Sequence, residues 1–112
     1  MATTQEYMEF VAGQLSEAGR ITYRRLFGEY GVYCDGIFFG TVEGNQLYLK
    51  VTEAGRKLLP DAEIVSPHEG SRMLPVEEIE DREFLGRLVR ETCAALPAPA
   101  PRRKRRPSGK AE

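Results

Sequence analysis

The dipeptide Asp35-Gly36, which separates two runs of apolar residues, constrains the fold of this chain more than any other feature. It lies in the stretch RLFGEYGVYCDGIFFG, residues 25–40, which contains five aromatic residues and four glycines. Asp-Gly favours a two-residue type I′ turn, because both turn residues must adopt a positive φ. We therefore predict a β-hairpin with these cross-strand pairs: Cys34 with Ile37, Tyr33 with Phe38, Val32 with Phe39, and Gly31 with Gly40.

A second reversal is predicted at Gly44-Asn45, which pairs Val42 with Leu47 and Gly40 with Leu49. Because side chains alternate along a strand, this register divides the sheet into two faces. The more apolar face is predicted to cover the main core, and it holds Gly31, Tyr33, Phe38, Gly40, Val42, Leu47, Leu49 and Val51. The opposite face mixes rings with polar groups, and it holds Tyr30, Val32, Cys34, Ile37, Phe39, Thr41, Tyr48 and Lys50.

Helices are predicted on both sides of these strands. A capping box at Thr3-x-x-Glu6 precedes apolar residues at helical spacing, which indicates a helix over residues 4–18. Thr52 is expected to cap a short helix over 53–59, and Asp81 a C-terminal helix with one apolar stripe. Residues 21–26 alternate like a strand near an edge, and a weak hairpin is expected around 67–70. The fold class is therefore α+β, a two-layer structure with a mostly antiparallel sheet of about five strands and the terminal helices on one face.

The charge of the chain is unevenly distributed along its 112 residues. Residues 1–96 carry ten basic and sixteen acidic side chains, a net charge of −6, whereas residues 97–112 carry six basic and one acidic, a net charge of +5. We interpret 1–96 as one globular domain and 97–112 as a disordered Pro/Ala/Arg tail. The chain has no apolar run long enough to span a bilayer, and its N-terminus does not resemble a signal peptide, so we expect it in the cytoplasm.

The sequence offers little that indicates catalysis. The glycines join strand to strand, whereas a phosphate-binding loop must open a helix. Cys34 adjoins Asp35, whose negative charge disfavours a thiolate, and a single histidine, His68, with two separated cysteines does not make a zinc site. The acidic residues between Glu77 and Glu83 surround a helix start, where they favour the helix dipole. We therefore expect a protein that is not an enzyme and needs neither a cofactor nor a metal.

Two groups of residues are candidates for binding. Tyr30, Phe39, Tyr48 and Lys50 on one predicted sheet face can pack under the chain's own loops, bind a protein or a second copy, or stack bases. The net charge of the body disfavours the nucleic-acid role of this face. The basic run Arg102, Arg103, Lys104, Arg105 and Arg106 can contact phosphates of a nucleic acid, or it can serve only as a solubilising end.

The central segment resembles the N-terminal domain of the TfoX/Sxy family, bacterial regulators of natural competence. The matching stretches are RRLFGEYGVY at 24–33, DGIFF at 35–39 and LYLK at 47–50. The departures are Leu26 and Glu29 in place of Met and Gly, and a shorter second hairpin, EIVSPHEGSRML. Full-length regulators of the family add a C-terminal helical domain, where this chain has the basic tail. The resemblance implies a stand-alone, two-layer α+β domain with a regulatory or protein-interaction role in transcription or DNA uptake, and it supplies no catalytic residues.

Overall fold

The computed structural model describes residues 3–26 and 28–97. Within these residues, five antiparallel strands form one sheet in the order β1-β2-β3-β4-β5, accompanied by three α-helices and one 3₁₀ turn, Ser16–Ala18. This confirms the predicted α+β class. The elements are α1 Gln5–Gln14, β1 Ile21–Leu26, β2 Glu29–Cys34, β3 Ile37–Glu43, β4 Gln46–Lys50, α2 Glu53–Leu58, β5 Met73–Val76 and α3 Arg82–Ala94.

Both predicted tight turns are confirmed by their backbone angles. Asp35 and Gly36 have φ of 51° and 86°, and Gly44 and Asn45 have φ of 58° and 61°. Positive φ at both central residues is the requirement of a type I′ turn, which matches the right-handed twist of the strands. Four predicted pairs are therefore observed: Cys34 with Ile37, Tyr33 with Phe38, Val42 with Leu47, and Gly40 with Leu49.

A β-bulge at Phe39 changes the register between the two turns. After the Tyr33–Phe38 pair, Val32 lies opposite Gly40, and Gly31 lies opposite Thr41. The predicted pairs Val32–Phe39 and Gly31–Gly40 are therefore wrong, because Phe39 is an extra residue in β3 with no partner in β2. The close approach of the strands requires glycine at position 40, since a Cβ there would clash with the backbone carbonyl oxygen of Tyr48.

The bulge also corrects the predicted faces, because a shift of one residue reverses which side chains share a side. Tyr30, Val32, Cys34 and Phe39 belong to the buried core, whereas Gly31, Tyr33 and Phe38 are absent from it. The predicted core positions Val42, Leu47 and Leu49 are confirmed. Helices α1 and α3 and the α1 C-cap residue cover this face of the sheet with six fully buried side chains, Met8, Val11, Leu15, Leu85, Leu88 and Val89.

The first helix starts one residue later than the sequence indicates. Its N-cap is Thr4, whose hydroxyl accepts a hydrogen bond from the Tyr7 N–H. The Thr3 hydroxyl instead donates to the Val42 carbonyl at 3.3 Å and accepts from the Asn45 N–H at 3.0 Å. The predicted capping box is therefore wrong, because Thr3 joins the start of the chain to the β3–β4 turn. The caps predicted at Thr52 and Asp81 are confirmed.

The segment between α2 and β5 contains little regular structure. The hairpin predicted around 67–70 is reduced to a single antiparallel bridge between Val65 and Met73, and β5 pairs with β4. In the described part of the chain, the helices are all too short or too polar to cross a bilayer.

Candidate interaction site

The structure separates the four residues predicted to form one binding face. Phe39 is completely buried and Tyr30 is 5% exposed, both in the core beneath the helices. Tyr48 and Lys50 are half-buried on the opposite side of the sheet. The bulge is the cause of this separation. It turns Phe39 and the side chains of β2 to the face opposite the one that a regular strand would give them. We call the side that carries Tyr48 the outer face, and it holds Gly31, Tyr33, Phe38, Thr41, Tyr48 and Lys50.

Phe38 is the central side chain of the outer face. The Tyr33 ring lies beside it, with 5.2 Å between the ring centroids, and the Lys50 ammonium lies 4.6 Å from the centroid of the Phe38 ring. Gly31 leaves space for this arrangement, since a Cβ there would lie 2.6 Å from Leu26 Cδ1 and 3.0 Å from the Phe38 ring. The result is a half-buried aromatic cluster that carries a positive charge.

A groove of about 400 Å³ opens beside this cluster, and we call it the outer groove. Its apolar wall is formed mainly by Leu26 and Phe38, and Tyr30 also contributes to the lining. The remaining lining residues are polar or acidic: Glu29, Thr41, Glu43, His68 and Glu69. The groove therefore combines an apolar wall with several hydrogen-bonding groups.

The polar wall of the groove is held by a hydrogen-bonded pair that joins a loop to the sheet. His68 Nδ1 lies 2.8 Å from Glu43 Oε2, and the Thr41 hydroxyl donates to the same carboxylate oxygen at 2.7 Å. The loop residue His68 is thereby fixed above β3. The sequence predicts a solvated turn residue at position 68, and its side chain is indeed 53% exposed, but its carboxylate partner is 25 residues away in the sequence.

Two ionisable groups of this region have shifted pKa values. Burial raises the pKa of the Glu29 carboxyl, but hydrogen bonds from Thr3 and from the Gly44 N–H outweigh it, so the net pKa is lowered. Burial and the nearby negative charge of Glu43 raise the pKa of the Tyr48 phenol. At pH 7, Glu29 is therefore negatively charged and Tyr48 is neutral, and both lie beside the outer groove.

The two cysteines lie on the core side of the sheet, away from the outer groove. Both are free and buried. Burial raises the pKa of the Cys93 thiol to about 12, and burial together with the Asp35 charge raises that of Cys34. Protonated thiols are poor nucleophiles, and both side chains belong to the buried core. Within residues 3–26 and 28–97, no three His, Cys, Asp or Glu side chains are arranged to hold a metal ion.

The basic run Arg102–Arg106 lies outside the described residues, as does almost all of the predicted tail. Its role in nucleic-acid binding and its disorder therefore stay predictions.

Comparison with known proteins supports the resemblance seen in the sequence. The family model "TfoX N-terminal domain" matches residues 13–96. A protein of Spirochaeta aurantia, named "Uncharacterized 12.7 kDa protein in trpE 5′ region", is 38% identical over 105 residues, which are 92% of this chain and 91% of that protein. The family match covers most of the chain and includes all five strands and α3. The chain therefore belongs to the TfoX N-terminal domain family.

Proposed function

We propose that this chain is a non-enzymatic regulatory domain that binds a protein partner through its outer face. The observation that carries the proposal is the outer groove, where a half-buried aromatic cluster lies beside fixed polar groups. Membership of a family named for a competence regulator supports a role in the control of transcription or DNA uptake.

The composition of the outer face favours a protein over a nucleic acid as the partner. Three carboxylates, Glu29, Glu43 and Glu69, line the groove, whereas the basic groups of this face, Lys50 above the Phe38 ring and Arg24 at the sheet edge, lie outside the lining. Because the body of the chain also has a net charge of −6, phosphates would be repelled from this side. Protein interfaces, in contrast, are built from aromatic side chains surrounded by a polar rim.

The placement of reactive groups supports a role without catalysis. An acyl- or group-transfer site brings a nucleophile, a base and oxyanion donors together. Here the base candidate His68 lies on the outer face, whereas Cys34 is buried on the other side of the sheet. Because His68 and Cys34 lie on opposite sides of the sheet, they do not form a nucleophile–base pair. We therefore assign the Glu43–His68 pair a structural role, which is to fix the loop.

Site-specific photo-crosslinking in the native host tests the proposal. A photoreactive phenylalanine analogue is placed at Tyr48 on the outer face or, as a matched control, at Phe10, which is 44% exposed on α1. We expect a defined protein adduct from position 48 and not from position 10. In the protein that carries the analogue at position 48, Lys50→Glu should reduce the yield of the adduct. Lys57→Glu, an equal charge change on α2, should leave the yield unchanged. Adducts of equal yield from both aromatic positions, or none from position 48, would contradict the proposal.

A second candidate function, nucleic-acid binding by the tail, is favoured by the five consecutive basic residues at 102–106. Replacing all five with serine should abolish a low-salt gel shift, and raising the salt concentration should weaken the wild-type shift steeply. An unchanged shift in the serine variant would exclude the tail as the binding element.

A further inference from the structure

The strand β1 forms one edge of the sheet and is paired only with β2 in the described part of the chain. The Asp35 N–H donates to the Arg20 carbonyl at 2.9 Å, and the Arg20 N–H donates to the Asp35 carboxylate at 3.1 Å, so the backbone groups of Arg20 face Asp35 as they do in a hydrogen-bonded pair. Hydrogen-bonded and non-hydrogen-bonded pairs alternate along an antiparallel ladder. The regular register of β1 and β2 therefore directs the backbone groups of Thr22, Arg24 and Leu26 toward β2.

The same alternation directs the N–H and C=O groups of Ile21, Tyr23 and Arg25 away from the sheet. Among the described residues, these outward groups have no hydrogen-bond partner. An edge with three consecutive outward pairs of donors and acceptors is a template for one more strand.

The side chains of this edge have a distinct charge. Arg24 and Arg25 are exposed and extend to opposite sides of the strand, and neither makes an ion pair within residues 3–26 and 28–97. The Arg25 guanidinium lies 5.4 Å from the centroid of the Tyr30 ring, which holds it beside the edge. The edge is thus basic, although the body of the domain has a net charge of −6.

We propose that β1 binds an acidic, extended segment of a partner protein, which adds to the sheet as a sixth strand. Main-chain hydrogen bonds to Ile21, Tyr23 and Arg25 supply the pairing. Carboxylates on alternate sides of the added strand meet Arg24 and Arg25 and supply the selectivity. A second copy of β1 is a poor occupant, because its own arginines would approach these two and repel them. The added strand would lie along the edge of β1, whereas the outer groove lies on the face of the sheet and adjoins that edge at Leu26, so the inference goes beyond the proposed function.

The first test is amide hydrogen exchange measured by NMR on the full chain. The free protein should show slow exchange at Thr22, Arg24 and Leu26 and fast exchange at Ile21, Tyr23 and Arg25. A synthetic eight-residue peptide in which pairs of Glu alternate with pairs of Val, so that each side of the strand carries carboxylates, is then added as the probe. Binding should slow exchange at Ile21, Tyr23 and Arg25 at least tenfold. Protection of these three amides in the free protein that grows with its concentration would identify a second copy as the occupant and overturn the proposal.

The second test measures the affinity of the fluorescently labelled peptide by polarisation. N-methylation of the peptide at alternate residues, which removes the N–H donors facing β1, should weaken binding at least tenfold. The double variant Arg24→Glu/Arg25→Glu should also lose at least tenfold and gain affinity for a Lys/Val peptide. The matched variant Arg56→Glu/Lys57→Glu carries the same charge change on α2 and should leave the affinity unchanged.

The outcomes separate strand addition from simple charge attraction. Equal affinity for the N-methylated and unmodified peptides, or equal loss in both double variants, would overturn the proposal. Displacement of the peptide by a single-stranded oligonucleotide at equal concentration would show that the arginines bind anions in general, and it would also overturn the proposal. Retained peptide binding in the Lys50→Glu variant, which is expected to lose its crosslinked partner, would show that the two surfaces act independently.

Discussion

Replacing Phe39 or Phe38 with alanine tests the bulge and the assignment of the two faces. The Phe39 side chain is completely buried, and truncating such a residue costs about 3–5 kcal/mol from lost burial and the cavity that remains. Phe38 is half-buried on the outer face, so its truncation loses about half the burial energy of a phenylalanine plus the contact with Lys50, about 1–2 kcal/mol in total.

The measurement is equilibrium urea unfolding of the two variants and the wild type. With a slope of about 1.5 kcal/mol per M, Phe39→Ala should lower the unfolding midpoint by about 2–3 M, and Phe38→Ala by about 1 M. Because domains of this size are stable by about 5–15 kcal/mol, the first variant loses a large fraction of its stability. A larger cost for Phe38→Ala than for Phe39→Ala, at equal slopes, would refute the face assignment.

Three further outcomes are expected. Gly40→Ala should destabilise the domain by about 1–3 kcal/mol in the same urea assay, because the added Cβ meets the β4 backbone. Gly13→Ala should instead stabilise the domain by up to about 1 kcal/mol, because position 13 is helical and has open space around it. The pKa of the Glu29 carboxyl is lower in the folded state than in the unfolded state, so the unfolded chain binds the proton at a higher pH. The free energy of unfolding should therefore fall as the pH drops below 4.5, and more steeply for the wild type than for Glu29→Gln. Parallel curves of unfolding free energy against pH for the two proteins would contradict this. With a pKa of about 12, the buried Cys93 thiol should react with a disulfide reagent at pH 8 only at the rate of unfolding, and rapid labelling of the native protein would disprove its burial.

The parts of the fold that depend on local chemistry could be predicted from the sequence. The Asp35-Gly36 turn, the reversal at Gly44 and the cap at Asp81 each depend on residues within four positions. The choice between Thr3 and Thr4 as the first cap could not be made locally, because contacts of Thr3 with the distant β3–β4 turn decide it.

The candidate site was harder to predict because its geometry depends on long-range contacts. A glycine inside a strand is a known sign of a bulge, so Gly40 offered a signal for the register shift. The pairing of His68 with Glu43, in contrast, brings a loop across the sheet, and neither residue carries a local sign of it. The sequence does predict the correct side for Tyr48 and Lys50, since β4 pairs with β3 in the predicted register.

The bulge in β3 decides which rings this domain offers to its surroundings. In a regular strand, Phe38 would share its side with Val42 and would lie, together with Tyr33, beneath the helices. The bulge shifts the alternation of side chains between the two ends of β3. The ring of Phe38, near the hairpin turn, therefore lies on the outer face, whereas Val42, near the other end, lies in the core. Deleting Phe39 would leave the aromatic cluster on the outside, because three positions would then separate Phe38 from Val42 and keep them on opposite faces, but it would remove a completely buried ring from the core.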